Sequence, residues 1–280
     1  MDYRKLLTIL MCISVLFLLS LKSFYLDKYL ENINNKTTNL QNAKELTLCP
    51  EMPPNLGPIL INLEEDMSFL HTISENPNVQ FGGRAIPQLC KALQKIAIII
   101  PYRNREPHLK TWLHYMHPFL QKQQGEYGVY VVEQIEMSTF NRAKLMNVGF
   151  TEASKDYDYN CFIFSDVDII PMDERNLYRC SQNPKHMANS LDKHNFSLFY
   201  ETAFGGIVAF TKEQFLKVNG FSNSFWGWGR EDDELYNSFH LVKKAAQLMH
   251  EDGLNTLEYE VVALTEHRLF KKITVNIGSS

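Results

Sequence analysis

The sequence lacks an excess of charge of either sign. Its 28 lysines and arginines stand against 32 aspartates and glutamates, which gives a net charge of −4 at pH 7. Such a balance creates no field that would attract nucleic acid or an acidic membrane surface, so neither is expected as the main partner. Internal repeats are missing too, and the hydrophobic (45%) and charged (21%) shares are ordinary for a globular protein. With 280 residues, one large α/β domain with an appendage is expected.

A long apolar run is present only near the N-terminus. Two basic residues precede an apolar stretch over residues 6–21, which can extend to residue 26 if Lys22 snorkels to the interface. No convincing small-residue cleavage site follows, so residues 6–26 are predicted to form an uncleaved signal-anchor transmembrane helix, with a cleaved signal peptide as the alternative. The basic residues lie before the run, which predicts a cytosolic tip (1–5) and a lumenal body.

The segment after the predicted anchor is polar and rich in Asn and Thr, so residues 27–47 are interpreted as a flexible lumenal stem. From residue 48 the composition changes to Pro, Leu, Ile and aromatic residues, and the folded domain is predicted to span 48–280. Glycosylation sequons at Asn35 (N-K-T) and Asn195 (N-F-S) are compatible with a lumenal body.

Cysteine is scarce, with five in the chain. Cys12 falls in the predicted anchor, and the other four are Cys49, Cys90, Cys161 and Cys180. An even set in an oxidising lumen predicts two disulfides. Three pairings are possible, and proximity along the chain favours Cys49–Cys90 with Cys161–Cys180. Four buried free thiols are the alternative if the body is not lumenal.

Strand and helix patterns alternate in the first half of the predicted domain. The apolar runs "KIAIIIPY", "YGVYVVEQ" and "YNCFIFSDVDIIPM" predict strands, and "HLKTWLHYMHPFLQKQQ" and "TFNRAKLMNVGFTEASKD" between them predict helices. This order predicts right-handed crossovers and a mostly parallel, Rossmann-like α/β sheet flanked by helices. Ligands on such sheets bind at the carboxyl ends of the strands, so we expect the site there.

A pair of aspartates, Asp166 and Asp168, ends the third predicted strand in "FSDVD". Side chains alternate along a strand, so both carboxylates are predicted to point to one side. Two carboxylates there suit Mg²⁺ or Mn²⁺ together with a diphosphate, because such ions prefer oxygen ligands and leave positions open for the substrate. The alternative is a turn that the two aspartates cap.

Basic residues occur beside the same predicted strand ends. Arg103 and Arg105 follow the first strand, and Arg142 lies at the start of the second helix. Cations near a helix N-terminus suit a diphosphate, although each arginine alone would more often form a surface salt bridge. Gly206 in "FGG" either allows the backbone to approach a ligand closely or belongs to a plain turn.

Tryptophans and acids are combined in "FWGWGREDDE". An acidic run usually marks a solvated face, but here it is embedded in aromatic residues. The glycines favour a mobile loop over a nucleotide-sugar site, in which Trp226 or Trp228 covers sugar and phosphate. One carboxylate of the run is then expected to deprotonate an acceptor hydroxyl.

In this order, "FNRAKLMNVG", "FSDVD", "FGG" and "WGWGREDDE" resemble the β-1,4-galactosyltransferase family, which includes related β-1,4-N-acetylgalactosaminyltransferases. "CPEMPPNLGPI", "NPNVQFGGR", "DGLNTLEYEV" and "ITVNIG" extend the resemblance from about residue 49 to 278. It implies a GT-A fold, Golgi localisation as a single-pass type II membrane protein, and inverting transfer from a UDP-sugar to terminal N-acetylglucosamine, usually with Mn²⁺.

The resemblance also implies roles for individual residues. Asp168 is the expected metal ligand, Asp232 the expected catalytic base, and the disulfide pairing agrees with the one that proximity favours. The implied UDP contacts are Pro101, Tyr102, Arg103, Arg105, Phe140, Arg142, Asp166, Val167 and Asp168. The implied donor- and acceptor-sugar contacts are Ala203, Gly206, Trp228, Glu231 and Asp233.

Two departures from the family pattern concern the substrates. Arg230 replaces a glycine of the usual WGWGGED, as in the branch that galactosylates xylose, so a xylose acceptor is the alternative to N-acetylglucosamine. Ala203 stands where vertebrate galactosyltransferases have tyrosine. Because alanine leaves room for a 2-acetamido group, we hypothesise that UDP-N-acetylgalactosamine is a donor beside UDP-galactose.

A third departure concerns the metal. The family places a long segment with an M-x-x-H pair of metal ligands between the acidic motif and "DGLN", whereas here the chain is shortened after residue 237 and Met249 and His250 are adjacent. His240 and His267 are expected to be ordinary surface histidines. Asp168 then remains as the protein ligand, and weaker Mn²⁺ binding is expected. A catalytically impaired isoform is therefore the alternative to an active enzyme.

Overall fold

One seven-stranded sheet is the framework of the domain. The structure is a computed structural model that describes residues 28, 46–135, 138–197, 204–227 and 252–279. All strands and helices named below belong to the unit Thr47–Ser280. The strands are β1 (Lys95–Tyr102), β2 (Glu126–Gln134), β3 (Cys161–Ser165), β4 (Lys185–His186), β5 (Ile207–Thr211), β6 (Glu260–Glu266) and β7 (Lys271–Asn276). Their spatial order in the sheet is β4-β5-β3-β1-β2-β7-β6.

The sheet is mixed, which corrects the prediction of a mostly parallel one. The four central strands, β3, β1, β2 and β7, run parallel. β5 pairs antiparallel with both β3 and β4, and β6 pairs antiparallel with β7. Helical crossovers give parallel neighbours, but β6 and β7 are joined by a short connection, which can only return the chain in the opposite direction.

Four α-helices are described: α1 (Phe69–Glu75), α2 (Glu106–Lys122), α3 (Arg142–Asp156) and α4 (Lys212–Lys217). The two predicted helices, α2 and α3, are confirmed as the connections between β1, β2 and β3. Within the described ranges, no helix has the length and apolarity needed to cross a membrane. The anchor predicted over residues 6–26 lies outside those ranges.

Alternation along β1 sorts the core into two layers. Ile98 belongs to the buried cluster on one face of the sheet, with Trp112 of α2. Ile99 belongs to the cluster on the other face, with Met146 of α3. Gly149 lets α3 approach the sheet, because a Cβ at this position would collide with the Ile99 side chain. The two central helices are thereby fixed on opposite faces of the sheet.

Both disulfides that proximity favoured are present. Cys49 and Cys90 are bonded with a Cα–Cα separation of 4.9 Å, and Cys161 and Cys180 with one of 5.6 Å. The first bond fixes the beginning of the folded domain beside the segment before β1. The second ties the start of β3 to the chain that follows the strand. The alternative of four free thiols is therefore wrong.

The last residue of α3, Asp156, joins this helix to three other parts of the fold. Its carboxylate accepts hydrogen bonds from Lys271 Nζ (2.8 Å), from the Tyr130 hydroxyl (2.6 Å) and from the Arg84 guanidinium. Burial opposes ionisation of this carboxyl, but the donors from Lys271, Tyr130 and Arg84 outweigh it and hold its pKa below the usual value. The charged carboxylate of Asp156 therefore connects α3 to β2, to β7 and to the segment before β1.

We expect Asp156→Asn to lower the free energy of unfolding at pH 7 by about 1.5–3 kcal/mol, because hydrogen bonds to a charged group are lost. The folded-state pKa is depressed, so this contribution is present above the unfolded pKa of 3.8 and disappears as the pH falls through the lower folded value. Urea unfolding at pH 7 and at pH 3 measures both effects. Asp158→Asn is the control, since Asp158 is exposed and lies 3.5 Å from Lys95. An unchanged stability of Asp156→Asn at pH 7 would contradict the assignment.

Candidate active site

The ends of β1 and β3 create the candidate site. The two strands pair in parallel, with Ile99 opposite Phe164, so their carboxyl ends lie side by side at one edge of the sheet. β1 ends at Tyr102 and β3 at Ser165. The arginines after β1 and the aspartates after β3 therefore leave the sheet at neighbouring points, where ligands of such sheets bind.

Arg142 and Asp166 form the central ion pair of this edge. Arg142 is the first residue of α3, and its Nε donates to Asp166 Oδ1 over 2.6 Å. The pair is largely shielded, with side-chain exposures of 13% and 29%. The backbone N–H of Asp166 also donates to the carbonyl of Gly206 over 2.9 Å. The N-terminus of α3, the end of β3 and the start of β5 thus meet at one residue, Asp166, through its carboxylate and its backbone N–H.

Asp168 occupies a more open position beside Arg105. The guanidinium of Arg105, the N-cap residue of α2, lies 3.7 Å from Asp168 Oδ2, and both side chains are about half exposed. The expectation that strand alternation orders Asp166 and Asp168 is wrong, because β3 ends at Ser165 and both aspartates follow the strand, Asp168 in a turn. Each carboxylate instead faces its own arginine.

Arg103 connects the loop after β1 with the segment before α3. Its guanidinium lies 5.1 Å from the centre of the Phe140 ring, a distance that allows a cation–π contact. Its Nη1 donates to the carbonyl of Ser138 over 2.7 Å. Three arginines therefore lie at the same edge of the sheet: Arg103 in the loop after β1, Arg105 at the N-cap of α2 and Arg142 at the start of α3.

Gly206 meets a steric requirement next to Asp166. Its φ of +78° lies in the region that favours glycine. A Cβ there would lie 2.8 Å from Ile169 Cδ1 and 3.0 Å from Ala188 Cβ. The residue allows close backbone packing beside the strand end, which is more than a plain turn requires.

The remaining predicted residues of the described part are mostly buried. Pro101 and Tyr102 are the last residues of β1, and burial raises the pKa of the Tyr102 phenol. Val167 is buried between the two aspartates. These three residues form the part of the edge that lies beside the charged groups.

Several predicted site residues lie outside the described ranges. They are Ala203, Trp228, Glu231, Asp232 and Asp233, with His240, Met249 and His250. Gly227, the last described residue before this part of the sequence, is held in place, because its N–H donates to the carbonyl of Phe140 over 2.8 Å. Gly227 therefore lies beside the N-terminus of α3.

No group of three or more His, Cys, Asp or Glu side chains suitable for a metal is found among the residues that the structure describes. His267 is exposed, and its ring stacks on Phe270 with centroids 4.4 Å apart. It precedes β7, at the edge opposite the strand carboxyl ends. Asp166 and Asp168 are thus the carboxylates that the described site offers to a cation.

Sequence reasoning missed a set of asparagines next to the site. Asn141, the N-cap residue of α3, accepts from the N–H of Lys144 through its side chain over 2.8 Å and is fully buried. Its Nδ2 donates to the carbonyl of Asn223 over 2.7 Å. The preference of asparagine for helix N-caps is the signal that would have identified Asn141. No comparable pattern identifies Asn223.

A cavity of about 440 Å³ lies away from these strand ends, against the outer face of α2. Its lining includes His71, His114, Tyr115 and Lys122, and none of the predicted site residues. The open edge at β1 and β3 and this cavity are therefore separate features.

Comparisons with known proteins found two matching family models and several similar chains. The model of the N-terminal region of glycosyl transferase group 7 matches residues 49–181, and that of the N-terminal domain of galactosyltransferase matches residues 185–251. β-1,4-Galactosyltransferase 1 of Bos taurus is 44% identical, over 89% of this chain and 71% of the relative. β-1,4-Galactosyltransferase 4 of Homo sapiens is 40% identical, over 85% of this chain and 80% of the relative.

A solved structure is similar to the described fold as well. Drosophila β-1,4-galactosyltransferase 7, crystallised with manganese, UDP-Gal and xylobiose, superposes with a TM-score of 0.58 at 25% identity. The match covers 67% of this chain and 96% of that chain.

Proposed function

Because the chain belongs to the β-1,4-galactosyltransferase family, we propose that it transfers galactose from UDP-galactose to the 4-hydroxyl of terminal N-acetylglucosamine, with inversion. The chain is a family 7 glycosyltransferase with a mixed, GT-A-like α/β fold. The observation that carries the proposal is the meeting of Arg142 with Asp166 and of Arg105 with Asp168 at the carboxyl ends of β1 and β3.

Three arginines suit the diphosphate of the donor. Arg103, Arg105 and Arg142 bring positive charge to one edge, and Arg142 begins a helix of 15 residues whose N-terminus favours an anion. Guanidinium groups bind phosphate oxygens through paired N–H donors. We propose that they hold UDP and stabilise the charge that develops on it as the bond to the sugar breaks.

Asp168 fits the role of a Mn²⁺ ligand. Its carboxylate is half exposed and faces Arg105 at 3.7 Å, so its oxygens are accessible to a hard cation. Bound Mn²⁺ would neutralise charge on the leaving diphosphate. Asp166 is engaged with Arg142, so its proposed role is to orient that guanidinium, with Val167 between the two carboxylates.

The acidic segment after Gly227 is proposed to bind the acceptor. Asp232 is five residues beyond Gly227, and an extended chain advances about 3.5 Å per residue, which limits their separation to about 18 Å. In the proposed step, Asp232 takes the proton of the acceptor 4-hydroxyl while that oxygen bonds to the anomeric carbon and UDP leaves. Glu231 and Asp233 are proposed to accept from sugar hydroxyls, and Trp228 to cover the sugar.

Location follows from the same proposal. The two disulfides are typical of an oxidising compartment, which supports a lumenal catalytic domain. We place the chain in the Golgi membrane as a single-pass type II protein, anchored through residues 6–26. Asn195 is exposed, as a glycosylated asparagine must be, and Asn35 lies in the proposed stem.

The experiment is a UDP-release assay on the full chain, with UDP-galactose or UDP-N-acetylgalactosamine as donor and N-acetylglucosamine or xylose as acceptor. We expect Mn²⁺-dependent release with N-acetylglucosamine and acceptance of both donors, because Ala203 leaves room for the acetamido group.

A strong preference for UDP-galactose would contradict the use of UDP-N-acetylgalactosamine as a donor. Release with xylose alone would favour the alternative acceptor, and no release at high Mn²⁺ would favour a catalytically impaired isoform. Asp232→Asn supplies the background rate.

A further inference from the structure

Asp252 is the first described residue after 228–251, and its carboxylate is bonded to the turn at residues 222–224. Oδ2 accepts from Ser222 Oγ (2.5 Å), from Ser224 Oγ (2.7 Å) and from the Ser224 N–H (3.2 Å). Oδ1 accepts from the N–H of Asn223 over 3.1 Å. Burial opposes ionisation, but the donors from Ser222, Ser224 and Asn223 hold the pKa of Asp252 below its ordinary value. One charged group thus fixes the whole turn.

The middle residue of that turn, Asn223, connects Asp252 to α3. Its carbonyl accepts from Asn141 Nδ2 (2.7 Å), and its side-chain Oδ1 accepts from Asn147 Nδ2 (3.0 Å). Its own Nδ2 donates to the carbonyl of Gly253 over 2.6 Å. Asn141 and Asn147 are fully buried, so these bonds are shielded from water. The turn is therefore joined to the helix on one side and to the Asp252 segment on the other.

The same end of α3 carries the donor site. Asn141 caps the helix, and the next residue, Arg142, donates to Asp166. Phe140 accepts from the N–H of Gly227, which anchors the chain three residues after the turn. A shift of the turn would therefore move Asn141, Arg142 and Gly227 together.

We propose that Asp252 is a positioning residue for the donor nucleotide, acting through Asn223 and Asn141 on Arg142. The proposal rests on the function proposed above, because it takes the strand-end site to bind a UDP-sugar. A carboxylate is needed, since all four bonds from the turn arrive from donors and both oxygens must accept. Asparagine would accept with one oxygen and place its NH₂ group against N–H or O–H donors.

Calorimetric titration of the full chain with UDP in the presence of Mn²⁺ tests this role without requiring turnover. We expect Asp252→Asn to raise the Kd for UDP about tenfold. The variant loses hydrogen bonds to a charged group, and these bonds belong to the series of contacts that leads from Asp252 through Asn223 and Asn141 to Arg142. Asp156→Asn is the matched control. It removes a half-buried, hydrogen-bonded aspartate at the far end of α3, so it lowers the melting temperature but leaves the UDP Kd within about twofold.

Binding and stability together decide the outcome. Equal UDP affinity of Asp252→Asn and the wild-type chain, with a melting temperature lowered as in Asp156→Asn, would show a merely structural residue and overturn the proposal. If Asp252→Asn does not fold, Ser224→Ala removes only one donor, and an unchanged UDP affinity in that variant would overturn the proposal as well. A wild-type chain that binds no UDP would refute the proposed function itself, which distinguishes the two failures.

Discussion

Replacing Arg142 with alanine is expected to lower kcat/KM for the UDP-sugar by about 100- to 1000-fold, the effect of removing one group that stabilises charge developing in the transition state. The Arg142 side chain is only 13% exposed, and its Nε lies 2.6 Å from Asp166. Alanine removes the guanidinium that is proposed to bind the diphosphate, and it also removes the cation opposite Asp166. The carboxylate of Asp166 would then face the negative diphosphate of the donor without a cation between them. Initial rates at varied UDP-sugar concentration measure the loss.

Two further variants separate the roles of charge and geometry at this position. Arg142→Lys keeps the charge but loses the paired N–H donors, so an intermediate kcat/KM is expected. Arg268→Ala is the control. Arg268 follows β6, at the edge of the sheet opposite the candidate site, and its guanidinium donates to the carbonyl of Pro77. Activity of Arg142→Ala within a few-fold of the wild-type chain would contradict the role given to the ion pair.

The second large effect is expected at Asp168. We expect Asp168→Asn to lower the rate of UDP release by about 100- to 1000-fold at a fixed Mn²⁺ concentration, as for the loss of one group that stabilises developing charge. Asparagine has a similar size but no charge, and a hard cation binds a neutral amide oxygen less tightly than a carboxylate. Titration of UDP release with Mn²⁺ should show a higher half-maximal concentration.

A surface aspartate paired with an arginine provides the control for this substitution. Asp173 is held by Arg175 through a side-chain ion pair, as Asp168 faces Arg105, but it has no part in the proposed site. Asp173→Asn should leave the Mn²⁺ dependence unchanged. If Asp168→Asn showed the wild-type half-maximal Mn²⁺ concentration, Asp168 would not be the metal ligand.

The central elements of the fold could be predicted because their signals are local. An apolar, β-branched run predicts β1, and apolar spacing over residues 108–124 predicts the helix that the structure places at Glu106–Lys122. The antiparallel edges could not be predicted in this way. β4 has two residues, and its pairing with β5 depends on partners that are distant in the sequence. The end of β3 at Ser165 was missed as well, because an alternating polar pattern continues through the turn that follows.

The site shows the same division between local and long-range information. The rule that ligands bind at strand carboxyl ends correctly brings Arg105 and Asp168 to one edge. The pairing of Arg142 with Asp166 joins a helix start to a strand end, and no local pattern specifies such a partner. The neutral amides of Asn141 and Asn223 carry even less signal, because asparagine is common in turns and becomes informative only when its partners are known.

Hydrogen exchange measured by mass spectrometry, with and without UDP and Mn²⁺, tests most directly whether these strand ends and the N-terminus of α3 form one donor site. The proposed site predicts slower exchange in three separate stretches together, 102–106, 140–146 and 165–169, because ligand contacts suppress local opening. The turn at 267–270, at the opposite edge of the sheet, should be unaffected. Protection confined to other regions, or no protection at saturating UDP and Mn²⁺, would contradict the assignment of this edge as the donor site.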